Sequence, residues 1–181
     1  MTLNAIGTND VSSSGIGLNG STFYTLTNYA FTSSPTWTMI LQYTPLETPS
    51  TNQCILATNY IMDANTAKVV IIYNEGWYAG YYLNNTPALI GPFDLPIGES
   101  SKIVVTDNGT TLSVCVDKVL KGFVASSGIQ IDTDILIGKC DFTGAPAVQG
   151  TLQSLQVYTQ GLSRYQAQLH ELDGMGFSMR L

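Results

Sequence analysis

Apolar residues recur at every second position along this chain, in short runs parted by turn residues. Between Thr36 and Tyr43, Trp37, Met39, Leu41 and Tyr43 alternate with Thr36, Thr38, Ile40 and Gln42. Period two sets one face of a strand against a core. Lys68–Tyr73 (KVVIIY) is apolar at both parities, the pattern of a central strand covered on two sides. In Trp77–Leu83, Trp77, Ala79 and Tyr81 share one face and Tyr78, Gly80 and Tyr82 the other. One of these faces must meet the core, and the other a further layer or a partner. Ser101–Asp117 reads as a hairpin: Lys102–Thr106, then Asp107-Asn108-Gly109-Thr110, then Thr111–Val116. Asn-Gly between β-branched runs predicts a tight turn with both central residues at positive φ. A second turn at Asp117-Lys118 leads into Val119–Val124. Ser21–Leu26, Cys54–Thr58, Asp134–Ile137 and Thr151–Tyr158 are further strands. Strict alternation in the last places Leu152 and Tyr158 on one face, Leu155 and Val157 on the other. Thr44–Asn52 and Asn84–Pro96 read as loops because of their prolines and turn residues. Only Arg164–Leu172 reads as a helix, with Ser163 as N-cap and Asp173-Gly174 as stop.

About ten strands joined by short turns predict an all-β, two-sheet antiparallel sandwich with one short C-terminal helix. The expected organisation is a polar N-terminal arm over 1–14, one sandwich domain over 15–173 and a tail over 174–181.

Composition narrows the partners. Of 181 residues, 11% are charged, so Thr, Ser, Asn and Gly carry the surface polarity. Net charge is -6 with only 7 Lys plus Arg, and no basic run occurs. Nucleic acid and anionic membrane surfaces therefore lack the cations that would hold them. No stretch of about 18 apolar residues is present, so membrane insertion by a helix is not expected. The start, Met1 to Gly7, has neither the basic segment nor the apolar core of a secretory signal. The protein is expected to mature in a cytoplasm, or to begin after a removed signal.

Candidate chemistry is sparse. Glycan hydrolysis needs two carboxylates opposed across a sugar. The four Glu (Glu47, Glu75, Glu99 and Glu171) fall in predicted loops or the helix, and Glu171 with Asp173 ends that helix. The single His170 sits in the last helical turn, where a cation suits the helix dipole. No catalytic residue is assigned, and an enzyme is not expected. No cofactor is expected: Asp63 and Asn65 offer alternate oxygen donors in one loop, with Asp132, Asp134 and Asp141 elsewhere, a set that could hold calcium but reads first as turn-forming residues. Cys54, Cys115 and Cys140 are too scattered for a zinc site or a disulfide framework. They read as small buried hydrophobes, with a Cys54–Cys115 or Cys115–Cys140 bridge as the alternative. Tyr78, Tyr82 and Trp77 are the ligand-binding candidates, because sugars and protein partners both stack on exposed aromatic faces.

Four segments resemble the concanavalin A-like jelly roll, specifically its laminin-G-like type. Leu18–Tyr24 resembles that family's opening strand, ahead of Trp37-Thr38. Lys102–Asp117 resembles its central hairpin. Asp134–Gly138 matches its "l-x-I-G" strand, and Gly150–Tyr158 followed by Gly161-Leu162-Ser163 resembles its ending. The pattern departs at Lys118, where the family usually has Gly. The resemblance implies binding of carbohydrate or protein, sometimes through calcium, and some relatives hydrolyse glycans.

Two functions follow as expectations. The first is a virion structural or assembly protein, such as a phage capsid decoration, head-fibre or tail component, forming a homo-oligomer within a larger protein assembly and able to grip host glycans. There the apolar tail residues Phe177, Met179 and Leu181 would dock on a neighbour. The alternative is a carbohydrate-binding lectin module of a secreted or cell-surface protein, with which the sequons at Asn19, Asn84 and Asn108 are compatible.

Overall fold

In the computed structural model, residues 2–6, 10–12, 15–21, 23–27, 36–50, 52–58, 68–83, 86–128, 135–140, 147–169 and 176–180 are described. They form the expected antiparallel sandwich. One sheet has seven strands, in the order β1 (Thr2–Ile6), β4 (Phe23–Thr27), β13 (Ile135–Ile137), β6 (Gln53–Thr58), β7 (Lys68–Tyr73), β8 (Trp77–Leu83) and β9 (Thr86–Phe93). The other has eight, running β12 (Val119–Ala125), β11 (Thr111–Val116), β10 (Ser101–Asp107), β5 (Trp37–Pro45), β14 (Gln149–Tyr158), β3 (Gly15–Asn19) and β2 (Asp10–Ser12). The eighth strand is β15 (Gly176–Arg180), which pairs with β14 alongside β3.

The alternating segments close the core between the sheets. Trp37, Met39, Leu41 and Tyr43 from β5 meet Ile55, Val69, Ile71, Trp77 and Ala79 from the facing sheet. The opposite parity also finds cover. Ile40, Val104 and Cys115 lie under Leu162 and Ala167, so α1 (Arg164–Leu169) packs on the outer face of the eight-stranded sheet. A capping box starts this helix: the Gln166 N–H donates to Ser163 Oγ, and the Ser163 N–H to Gln166 Oε1 at 3.0 Å. The loop before it is tied down by the Leu162 N–H, which donates to Thr106 Oγ1 at 2.7 Å, and by Thr38 Oγ1, which donates to the Gln160 carbonyl at 2.8 Å.

Several sequence expectations need correction. Within the segment read as an N-terminal arm, the described Thr2–Ile6 and Asp10–Ser12 each pair at the edge of one sheet, where a strand needs backbone pairing on one side only. The proline-bearing segment after Leu83 is not loop throughout, because β9 is a sheet edge, where proline's missing N–H leaves no ladder bond unmade. In β14 the register shifts between Leu152 and Ser154, a bulge that brings Leu152 into the core with Leu155 and Val157 and turns Tyr158 outward. The two left-handed central residues expected at Asn108-Gly109 occur one hairpin later. Asp117 and Lys118 have φ of 48° and 68°, whereas only Gly109 is positive in the first turn. There Asn108 Oδ1 instead accepts from the Thr111 N–H at 2.9 Å and the Thr110 hydroxyl at 2.9 Å, a side-chain turn.

The cysteines also differ from expectation. Cys54 and Cys140 are joined as a disulfide, their Cα atoms 5.3 Å apart, within bridging range. Both proposed alternatives used Cys115, but that thiol is buried beneath α1 on the other sheet.

Candidate functional site

The outer face of the seven-stranded sheet has no helix over it among the described residues, and its apolar side chains are arranged differently. Cys54, Ala57, Val70, Ile72 and Cys140 form a buried cluster there, with Tyr78, Tyr82 and Leu89 partly exposed above it. Cys54 pairs with Ile72, and Ile72 with Tyr78, so the disulfide lies in the floor two strands from the tyrosine. A groove of about 340 Å³ opens on this face, lined by Asn52, Ile72, Asn74, Tyr78, Tyr82, Pro87 and Leu89.

Strand alternation alone puts Tyr78 and Tyr82 on one face, four residues or about 13 Å apart along β8. Two glycines let the edge strand come close enough to wall the groove. A Cβ at Gly80 would strike the Ala88 carbonyl oxygen, so only glycine allows β9 to pair at that distance. A Cβ at Gly91 would stand 2.6 Å from Tyr78 Cδ1. Gly91 lies within a register shift between Trp77 and Ala79, where β9 carries extra residues opposite Tyr78. The Tyr78 ring is thus seated against bare backbone.

Asn52 and Asn74 stand at the other end, and local backbone bonds hold both. The Asn52 N–H donates to the Tyr73 carbonyl at 2.8 Å and the Asn74 N–H to the Gly76 carbonyl at 2.8 Å. Both side chains are exposed, and among the described residues neither amide makes a hydrogen bond. Burial pushes the Tyr82 phenol above its ordinary pKa, so it stays protonated. None of the seven lining residues carries a charge. The groove therefore offers aromatic and apolar surface with a few neutral donors and acceptors, and no carboxylate pair for acid–base work.

Of the residues singled out in the sequence, Tyr78 and Tyr82 come together here. Trp77 does not: it is 3% exposed and points into the core, edge-on to Tyr43 at 6.1 Å and to Tyr73 at 5.4 Å. Its parity, shared with Ala79 and Tyr81, sends it between the sheets. Asp63, Asn65, Asp132, Asp134 and Asp141 lie outside the described residues, as do His170, Glu171, Asp173 and Leu181. Among the described residues no three His, Cys, Asp or Glu stand together as metal ligands. Phe177 and Met179 fall in β15, whose backbone pairs them with Val157 and Leu155 of the same chain. Sequence reading missed Asn52, Ile72, Asn74, Pro87 and Leu89 as groove residues. Asn-Glu-Gly at 74–76 was visible only as a turn, and Pro87 argued for a loop.

No family profile matches this chain, and no curated protein matches its sequence. Solved structures do match its fold. Domain 4 of AbnA, an extracellular arabinanase from Geobacillus stearothermophilus seen with arabinotriose, has a TM-score of 0.65 at 14% identity, covering 92% of this chain and 85% of that one. A botulinum neurotoxin type C structure, described as depending on two ganglioside molecules for cell entry, scores 0.68 at 11% identity, over 93% of this chain and 45% of the other. Trypanosoma rangeli sialidase scores 0.65 at 17% identity over 92% of this chain but only 29% of its own. The chain has the concanavalin A-like jelly-roll fold, as its sequence motifs suggested. This likeness is one of fold.

Proposed function

We propose that this β-sandwich module binds carbohydrate, and that the groove between Tyr78, Tyr82 and the asparagines is where it does so. The observation that carries the reading is the pairing of two partly exposed tyrosines with two unengaged amides around one uncharged groove. A sugar ring presents an apolar C–H face and a rim of hydroxyls. The phenol rings and Leu89 suit the face, and the Asn52 and Asn74 amides suit the rim, since each amide both donates and accepts. The arabinotriose-bound neighbour supports the same reading. So does the contrast between the outer faces: the other, with similar apolar strands, is closed by α1, whereas this one has no helix over it among the described residues.

The carbohydrate reading takes precedence over the virion role first expected from composition, for which no specific observation speaks. An extracellular or cell-surface location fits better, because the Cys54–Cys140 bridge suits an oxidising compartment. Isothermal titration of the full chain against candidate oligosaccharides tests the proposal. Micromolar to millimolar binding that Tyr82→Ala weakens by roughly tenfold, about 1.4 kcal/mol, is expected. Saccharide binding indifferent to both Tyr78→Ala and Tyr82→Ala would place the site elsewhere.

A further inference from the structure

We infer that the groove takes neutral rather than acidic saccharides. This rests on the carbohydrate reading and goes a step beyond it, because the neighbours of this fold bind sugars of both kinds. An acidic sugar, whether sialylated, uronic or sulfated, brings an anion that must lose water as it enters. Without a cation or several aligned donors to replace that water, the desolvation opposes binding.

The groove supplies no such cation. Its lining is two asparagines, two tyrosines, an isoleucine, a leucine and a proline. The nearest basic residue in register is Lys68, opposite Tyr82 on β7. Lys68 is buried, already engaged in an interaction of its own, and not among the lining residues. Lys139, on the strand end beside Cys140, holds its ammonium 5.2 Å from the centre of the Phe23 ring. The acidic side is better placed. Glu75 is exposed in the turn that carries Asn74, and Asn52 hydrogen-bonds to the residue just before that turn. The chain as a whole has a net charge of -6. Local and long-range fields thus both repel an anion from this end of the groove.

The polar groups present suit hydroxyls instead. The Asn52 and Asn74 amides are neutral and unengaged among the described residues, and the Tyr78 hydroxyl makes no hydrogen bond there either. Three neutral groups that can each donate and accept match vicinal hydroxyls, which also do both.

The test is an array of matched saccharide pairs, in which neutral arabino-, gluco- and galacto-oligosaccharides each face a sialylated, uronic or sulfated counterpart. The tightest pair is then titrated against the full chain at low and high salt. The neutral member should bind roughly tenfold or more tightly than its acidic counterpart. Its affinity should be insensitive to salt, and Tyr82→Ala should weaken it roughly tenfold while Tyr78→Phe has a smaller effect. An acidic member that binds more tightly, weakens steeply with salt and is weakened by Tyr82→Ala would overturn the neutral preference and leave the carbohydrate reading standing. Absence of binding to every member, or binding unmoved by Tyr78→Ala and Tyr82→Ala, would remove the carbohydrate reading and this inference with it.

Discussion

The two outer faces of the sandwich start from the same kind of strand and end differently. On the eight-stranded sheet, Ile40, Val104 and Cys115 point away from the core and are covered by Leu162 and Ala167 of the helical segment. On the seven-stranded sheet, Val70 and Ile72 also point outward and are buried in a cluster with the disulfide, but the tyrosines packed against them stay partly exposed and line a groove. A strand apolar on both sides needs a second layer, and the nature of that layer decides whether a face is structural or accessible. A helix fills the space with aliphatic groups. Tyrosines shield the same apolar floor while leaving an amphipathic surface that a ligand can share. The difference predicts that damage to the first face is felt in stability and damage to the second in binding.

The largest expected effect separates the two cysteine sites. Reducing Cys54–Cys140, or replacing both by Ala, should lower unfolding free energy by about 3–4 kcal/mol, since the bridge closes a long loop of 86 residues' separation. Urea denaturation with and without reductant measures this, and Cys115→Ala should leave the reductant effect intact. Next, Leu162→Ala on the covered face should cost about 2–4 kcal/mol by opening a cavity under the helix, without altering saccharide affinity. On the open face the order reverses. Tyr82→Ala should cost about 1 kcal/mol or less in stability but roughly tenfold in affinity. Equal losses of stability in the two variants, with affinity unmoved, would break the comparison.

A smaller effect follows from the covered face's thiol. Burial pushes the Cys115 thiol up to about 11. An acid whose folded pKa is raised keeps its proton in the folded state while the unfolded chain gives it up. Its contribution is therefore complete below the ordinary thiol pKa of about 8.5, declines as pH rises past it, and levels off above 11. Alkaline destabilisation over that window should be reduced in Cys115→Val. The smallest effect is at the β11–β12 turn. Lys118 holds φ of 68°, which a Cβ disfavours, so Lys118→Gly should stabilise by up to about 1 kcal/mol, less what glycine adds in unfolded-state entropy. Thermal unfolding of the two proteins resolves the sign.

Reading the sequence worked where the cause was local. Trp37 to Tyr43 keeps period two for a whole strand, and that parity holds in the structure because no bulge interrupts it. The Ser163 cap and the stop between β10 and β11 are likewise local chemistry. Two of the seven residues lining the candidate groove were legible for the same reason, since Tyr78 and Tyr82 share a parity opposite to Trp77. The rest was hidden in pairing. Leu152 changed faces at a bulge defined by its partner strand. The β9 wall was obscured by Pro87 and Pro92, whose cost depends on whether a strand is an edge. Cys54 found Cys140 because β6 and β13 are neighbours in the sheet, across 86 residues of chain.

By itself, then, the order of apolar and polar residues settled that this chain makes strands, where most of them turn, and that they stack in two layers, because the parity of an unbulged strand and the position of a turn are properties of a few adjacent residues. Which strands became edges, which outer face received the helix and which kept an open groove was decided only by the packed sheets, because those depend on neighbours brought together from distant parts of the chain.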